Sequence, residues 1–162
     1  MVIIIDSREK NPYEAVRYTT ETASLPIGDY SIRGFEHEVA IERKSISDLT
    51  ACLSQEREKK RFEQEIARSR ALNFFAVIVE GTFSDLAYGN NGSSKTSVIA
   101  RLEALLRLVV KYRVPLYFAG NREQARWLTI ALLESFWMQL TEMAEAVEAA
   151  NKSEVLKQRE LI

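Results

Sequence analysis

The sequence has 162 residues, a length that accommodates one domain with room for a short extension. Hydrophobic residues make up 46% of it and charged residues 28%, which excludes a disordered chain, and the net charge of −1 gives no sign of a nucleic-acid partner. The single cysteine, Cys52, excludes an intrachain disulfide and a multi-cysteine metal site, and no apolar run reaches the ~18 residues of a membrane span. We therefore expect a protein of a reducing, intracellular compartment that does not contact a membrane.

The start of the chain predicts three short strands. Residues 2–5 are a β-branched run typical of a buried strand, whereas residues 13–22 have no clear periodicity and remain open. Residues 26–32 predict a turn that leads into a second strand. Gly34 predicts a hairpin turn, and the alternation of residues 38–42 predicts the strand that returns from it.

The next predicted elements alternate between helix and strand. Ser45, with Asp48 three residues later, predicts the capped start of a helix. Residues 55–70 predict a second helix, whose many charges indicate an exposed surface laced by i,i+4 ion pairs. Residues 74–79 predict a buried strand, and the polar segment after Tyr88 predicts a loop.

Two further helices and a strand complete the predicted order. Residues 98–110 carry an apolar stripe of helical period, for which Thr96 or Ser97 is the predicted N-cap. Residues 114–119 predict another buried strand, and a long helix follows from about residue 122. Strands separated by helices predict an α/β domain with a central mixed β-sheet flanked by α-helices.

Asp29, Glu42 and Lys44 form the pattern that carries chemistry. Side chains alternate along a strand, so Glu42 and Lys44 are expected on one face and Arg43 on the other, and the hairpin would bring Asp29 close to Glu42. Converging carboxylates suit Mg²⁺, and an amine beside the attacking water stabilises developing charge. The pattern therefore favours phosphodiester hydrolysis, and it is the arrangement of the PD-(D/E)xK nucleases.

Flanking motifs make this pattern more specific. An Asp-x-Arg-Glu segment at residues 6–9 follows the first strand, Gly-Asp at residues 28–29 precedes the second, and Glu-Arg-Lys at residues 42–44 with Asp48 closes the third. Together they resemble the nuclease domain of the XPF/Hef/Mus family of structure-specific endonucleases.

The resemblance continues more loosely along the chain. It includes Arg61, Phe62 and Gln64, the strand at 77–81 and the helix start at 97–98, so that it spans roughly residues 2–140. It implies a restriction-endonuclease-like fold. On this basis residues 1–148 are expected to form the nuclease domain and residues 149–162 a polar C-terminal extension.

The resemblance also implies a role for each motif residue. Asp29 and Glu42 would be the main ligands of Mg²⁺ or Mn²⁺, together with the backbone carbonyl of Arg43 and with Glu9, directly or through water. Lys44 would act on the nucleophilic water. The remaining residues would support the site or touch DNA: Asp6 and Arg8 by holding the site together or contacting the phosphate, Asp48 by pairing with the Arg43 side chain, and Arg61 and Gln64 by contacting the DNA backbone.

The implied function is a metal-dependent DNA endonuclease that cuts branched, flapped or forked DNA in repair, recombination or replication. Members of the resembling family work as dimers. The apolar helices at 98–110 and after residue 122 also bury more apolar surface than one face of a sheet needs, so we expect a homodimer. The location would be cytoplasmic, at the nucleoid or in a virus-infected cell. A nucleotide cofactor is not expected, because the P-loop-like segment at 89–96 has Ser94 in place of a glycine and follows no strand.

Other interpretations of these residues stay open. The chain could be a non-catalytic DNA-binding or dimerisation partner of an active nuclease, or a nuclease of sequence-specific or nonspecific action. No tandem helix-hairpin-helix module is recognisable after residue 121, which leaves junction specificity open. Glu42 and Lys44 could be a surface charge pair, while His37 is expected to be exposed and Cys52 to be a small buried side chain.

Overall fold

The computed structural model of the chain describes residues 1–88 and 95–160, and the side chains of all of these except 95–96 and 153–160. The P-loop-like segment therefore lies largely outside the described residues. The elements in chain order are β1 Val2–Asp6, β2 Thr19–Ala23, β3 Tyr30–Ile32, β4 Val39–Ser45, α1 Ile46–Ser54, α2 Glu56–Ser69, β5 Phe74–Glu80, α3 Phe83–Tyr88, α4 Lys95–Tyr112, β6 Leu116–Phe118 and α5 Arg122–Glu160.

The six strands form one mixed sheet in the order β2-β1-β3-β4-β5-β6. Strand β3 runs antiparallel to β1 and β4, whereas β1–β2, β4–β5 and β5–β6 pair in parallel. The predicted mixed sheet and its hairpin are confirmed. The carboxyl ends of β1, β4 and β5 and the amino end of β3 consequently meet at one edge of the sheet, where ligands of open α/β sheets bind.

Apolar side chains pack on both faces of the sheet. Helices α1, α2 and α4 cover one face and α5 covers the other. Val39, Ala40 and Ile41 of β4 have no exposed surface, because β4 lies in the middle of the sheet and is buried on both sides. A strand with two buried faces is a continuous apolar run, and such a strand gives a rigid base to the polar residues at its end.

Three strands differ from their predictions. Strand β6 is a three-residue edge strand without a fully buried residue, so the buried strand predicted at 114–119 is wrong in length and in burial. Strand β2 occupies residues that the sequence left open, since it is a mostly exposed, threonine-rich edge strand without alternation. Strand β4 continues three residues past the predicted end at residue 42, because it pairs in register with β5 as far as Ser45↔Glu80. Glu42 and Lys44 therefore both lie within β4.

The helix starts give one confirmation and one correction. The Ser45 side chain accepts a hydrogen bond from the Asp48 backbone amide at 3.1 Å, so the predicted N-cap of α1 is confirmed. Helix α4 begins at Lys95, so the predicted N-cap at Thr96 or Ser97 is wrong, because both residues already lie inside the helix.

Helix α5 runs without interruption from Arg122 to Glu160. The domain boundary expected between residues 148 and 149 falls inside it and stays a prediction. Within the described residues, no helix combines the length and the apolar character needed to cross a lipid bilayer.

Candidate active site

Asp29 is placed by the glycine before it. Gly28 has φ +74°, and a Cβ there would lie 3.0 Å from Cβ of Ala40, so only glycine lets the chain pass this close to β4. The Asp29 backbone then bridges two strands: its N–H donates to Ile41 O at 2.9 Å and its carbonyl accepts from the Asp6 N–H at 2.8 Å. The amide of Arg43 donates to Oδ2 of Asp29 at 2.8 Å, which fixes the carboxylate at the edge of β4.

Glu42 and Lys44 lie on the same face of β4, as the alternation predicted. Glu42 is 4% exposed, and Nζ of Lys44 forms an ion pair with its Oε1. Nζ of Lys44 also lies 4.9 Å from the ring centroid of Phe62 on α2. Two carboxylates and one amine therefore face a common space between β4 and α2.

The two carboxylates are held at raised pKa values. Burial is the main cause for Asp29, and the nearby charge of Glu9 adds to it, so that its pKa rises to about 6 despite the Arg43 amide. Burial and the charge of Asp29 raise the pKa of Glu42 well above its usual range. Burial opposes the charged form of Lys44, but the adjoining Glu42 carboxylate outweighs it and raises the pKa of Lys44.

Arg43 points away from this space, to the opposite face of the sheet. Its Nε and Nη2 donate to the two oxygens of Glu80 at 2.8 Å each, and Nη1 lies 3.5 Å from Oε2 of Glu9. The predicted pairing of Arg43 with Asp48 is therefore wrong. Asp48 lies on α1 on the other side of the sheet, where its carboxylate accepts from Ser45 Oγ at 2.7 Å, and β5 supplies the nearer acid.

Glu80 is the centre of what we term the Glu80 cluster, formed with Tyr13, Arg43 and Arg122. Glu80 Oε1 also accepts from the Tyr13 hydroxyl at 2.8 Å and from Arg122 at 2.9 Å. Both guanidinium groups lie over the Tyr13 ring, at 5.8 Å for Arg43 and 4.8 Å for Arg122. Burial opposes ionisation of Glu80, but the bonds from Arg43 and Tyr13 outweigh it and lower the pKa of Glu80.

Asp6 and Arg8 form a supporting pair beside Asp29. Oδ1 and Oδ2 of Asp6 accept from Nε and Nη2 of Arg8 at 2.7 and 2.8 Å, and Oδ2 also accepts from the Leu25 amide at 2.7 Å. Burial opposes ionisation of Asp6, but these bonds outweigh it and lower the pKa of Asp6. The Arg8 side chain is 69% exposed, so its held guanidinium still faces solvent.

These elements enclose a cavity of about 550 Å³ between the edge of the sheet and α2. All ten residues that the sequence singled out line it, including the exposed Arg61 and Gln64 of α2. The sequence missed several further α2 residues on this wall, namely Glu58, Glu65 and Arg68. In the sequence these residues are indistinguishable from the other charged residues of α2. Only their spacing, which places them on one face of the helix, could have identified them as residues of the cavity wall.

The family of this chain follows from a match to a known family model. A family model for the ERCC4 domain matches residues 5–130. The chain belongs to the ERCC4 domain family. The predicted resemblance to the XPF-type nuclease domain is thereby confirmed at the level of the family, and comparison with curated proteins gave no match.

The fold of this ERCC4-domain chain is shared with solved structures. XPF from Aeropyrum pernix superposes with a TM-score of 0.65 at 19% identity, covering 83% of this chain and 60% of that chain. XPF from Aeropyrum pernix in complex with DNA superposes with a TM-score of 0.66 at 18% identity, covering 85% of this chain and 66% of that chain. The restriction-endonuclease-like α/β fold is confirmed, and this chain spans less than two thirds of the length of these relatives.

The donor set of this ERCC4 domain fits a hard divalent cation. Asp29 and Glu42 are oxygen donors, and their pKa values stay raised because the positive charge of Lys44 offsets the cost of their burial only in part. Among the described side chains no three acids, histidines or cysteines converge closely enough to enclose an ion. Mg²⁺ is usually held by one or two carboxylates with several waters, so two are sufficient. Glu9 is engaged by Arg43 and by the Asn11 amide at 2.6 Å, and its role as a ligand stays a prediction, as does that of the Arg43 carbonyl.

Proposed function

We propose that this ERCC4 domain is a divalent-cation-dependent DNA endonuclease whose active site is the cavity between the sheet edge and α2. The observation that carries the proposal is the convergence of Asp29, Glu42 and Lys44 on that cavity, with both acids at raised pKa values. The family and the DNA complex of a relative with the same fold support it. The retained carboxylates favour an enzyme over a non-catalytic partner.

Asp29 and Glu42 would hold Mg²⁺ or Mn²⁺. When bound, the cation would neutralise phosphate charge and supply a nucleophilic water at neutral pH. Lys44 is charged and lies beside Glu42, from where Nζ would donate a hydrogen bond to the attacking water and stabilise the negative charge of the phosphate. Asp6 would act by holding Arg8, whose exposed guanidinium is suited to a phosphate oxygen.

The α2 wall would hold the DNA. Arg61 and Gln64 are exposed on this wall and are suited to phosphate and sugar contacts, which position a duplex without reading its sequence. We infer that the substrate is branched, flapped or forked DNA, in repair, recombination or replication inside the cell, whether at the nucleoid or in a virus-infected host.

The test is cleavage of an end-labelled flap DNA in Mg²⁺ and in Mn²⁺, with forked and linear DNA in the same panel. We expect the parent to cut the branched DNAs, and Glu42→Gln and Lys44→Ala to lose several kcal/mol of transition-state stabilisation, about a thousand-fold in rate. Lys60→Ala is the matched control, because Lys60 is exposed on α2 outside the cavity.

The other outcomes identify the alternatives. Equal cutting of linear and branched DNA would contradict the structure-specific substrate while leaving the site intact. Binding of DNA without cleavage in either metal would contradict the enzyme and support the non-catalytic partner.

We also propose that the chain is a homodimer through α4. Ile99, Leu106 and Val110 are 57%, 58% and 75% exposed and recur at i, i+7 and i+11, so they form one apolar stripe. Among the described residues these side chains are exposed, and exposed apolar stripes of this kind mark interfaces. We expect a dimer in sedimentation velocity, and a monomer for Leu106→Glu but not for Met143→Glu, a residue equally exposed on α5. A monomeric parent at micromolar concentration would contradict this proposal.

A further inference from the structure

Glu65 lies on the face of α2 that forms the cavity wall opposite β4. This turn of α2 is fixed against the site, because Phe62 is buried and its ring centroid lies 4.9 Å from Nζ of Lys44. Helix positions three apart share a face, so Glu65 is directed to the same cavity as Phe62. Its carboxylate therefore faces the side of the site that carries Glu42 and Lys44.

Within the described part of the chain the carboxylate of Glu65 has no direct partner, although its charge interacts with those of Arg8 and Lys44. Among the described residues it has no hydrogen bond or ion pair, although Arg61 lies four residues before it and Arg68 three residues after it. Glu63 on another face of α2 provides the contrast, since its carboxylate lies 3.5 Å from Nζ of Lys111 and 3.3 Å from the hydroxyl of Tyr112. A carboxylate that faces a cavity and pairs with neither neighbouring arginine remains available to a ligand.

The charge of Glu65 reaches the two site acids. Burial is the main cause of the raised pKa of Asp29 and of Glu42, and the negative charge of Glu65 adds to both shifts. Glu58 lines the same wall, yet its charge is not among the leading causes for either acid and acts instead on Cys52. Two glutamates of one helix face thus differ in their electrostatic contact with the site.

We propose that Glu65 is a third carboxylate of the cation site, which accepts hydrogen bonds from the cation's water shell and thereby sets the affinity for Mg²⁺ or Mn²⁺. The inference rests on the proposed function. Three acids do not converge as direct ligands among the described residues, and a cation that keeps several waters is also held by acids that bind those waters. Groups in such a position contribute about 10- to 100-fold to metal affinity.

The experiment is calorimetric titration of Mn²⁺ into the whole chain without DNA. We expect Glu65→Gln to weaken Mn²⁺ binding about 10- to 100-fold, Asp29→Asn to abolish it, and Glu58→Gln to leave it unchanged. The rise in melting temperature on adding Mn²⁺ gives an independent reading of the same affinity, and it also shows that each variant is folded. Glu65→Gln should bind flap DNA in EDTA at least as well as the parent, because the change removes a negative charge from the DNA-facing wall.

The outcomes separate this inference from the proposed function. If the parent binds Mn²⁺, Asp29→Asn does not, and Glu65→Gln matches the parent, the role of Glu65 is overturned while the nuclease proposal stands. Equal losses in Glu65→Gln and Glu58→Gln would also overturn it, because a general effect of negative charge on the wall would then be sufficient. A parent that binds no Mn²⁺ would overturn the cation dependence and this inference together.

Discussion

Two pairs of acids, each with one buried and one half-buried member, lie near the same edge of the sheet, and their surroundings shift their pKa values in opposite directions. Asp6 and Glu80 each accept several hydrogen bonds from arginine, tyrosine or backbone donors, and their pKa values are lowered. The Asp29 carboxylate accepts one hydrogen bond, from the Arg43 amide, and among the described residues Glu42 pairs with Lys44 alone. The pKa values of both acids are raised. The first pair stabilises the fold by being ionised, whereas ionisation of the second pair costs stability. The acids with too few partners are therefore the ones left to bind a ligand.

The largest expected effect comes from removing Glu80, the acid of the two pairs that bonds to the most side chains. Glu80→Ala leaves Arg43 with Glu9 alone and removes the acceptor of Tyr13 and one of the three acceptors of Arg122, so we expect the free energy of unfolding to fall by about 3–5 kcal/mol. Urea unfolding measures it. Glu21→Ala is the control, because it breaks only the exposed pair with Arg33 and should cost about 1 kcal/mol or less. A comparable loss of unfolding free energy in both variants would mean that the Glu80 cluster contributes no more to stability than an exposed ion pair does.

The next effect has the opposite sign. Asp29→Asn keeps an oxygen for the Arg43 amide but removes the charge, so we expect the metal-free protein to gain on the order of 1–3 kcal/mol at pH 8. The pKa of Asp29 is about 6 in the folded state and 3.8 for an ordinary aspartate, so folding binds a proton between these values and stability falls as the pH rises through them. The gain should therefore vanish near pH 4. A variant less stable than the parent at pH 8 would contradict the contrast between the two pairs.

The smallest effect concerns the cations of the α2 wall. Arg61→Ala should weaken binding of flap DNA by about 1 kcal/mol at low salt and reduce the slope of log K against log salt by about 0.9, the value for one phosphate contact. Arg57→Ala is the control, since Arg57 is exposed on α2 but does not line the cavity. Fluorescence anisotropy at several salt concentrations measures both. An unchanged slope for Arg61→Ala would assign the DNA to another surface.

The part of the site that could be predicted is the part encoded locally. Asp29, Glu42 and Lys44 lie on one hairpin, so strand alternation and a tight turn were sufficient to bring them together. The Glu80 cluster could not be predicted, because its four residues come from three separate elements and the connection between β1 and β2, and they meet only through the order of the sheet. The wrong pairing of Arg43 with Asp48 has the same origin, since the nearer acid in sequence lies on the opposite face.

The fold shows a similar division. Apolar periodicity identified the buried strands and the helix stripes, because burial on one or two faces leaves a pattern in the sequence. Strand β2 left no such pattern, since its side chains are mostly exposed and it pairs with β1 at the edge of the sheet. The predicted i,i+4 ion pairs of α2 are absent among its described side chains, and several of its charges face the cavity instead.

The backbone bridge through Asp29 has a consequence for the dynamics of the site. Asp29, directly before β3, accepts hydrogen bonds from the backbone amides of Asp6 in β1 and Arg43 in β4, and its own amide donates to Ile41 in β4. These bonds connect the end of β1 to β4 through Asp29. Breaking either of the two backbone bonds requires separation of central strands, whereas the bond from the Arg43 amide breaks when the Asp29 side chain rotates. We expect the amides of Asp6 and Asp29 to exchange with deuterium as slowly as the most protected amides of the sheet, so that the backbone of the site is assembled before any ligand binds.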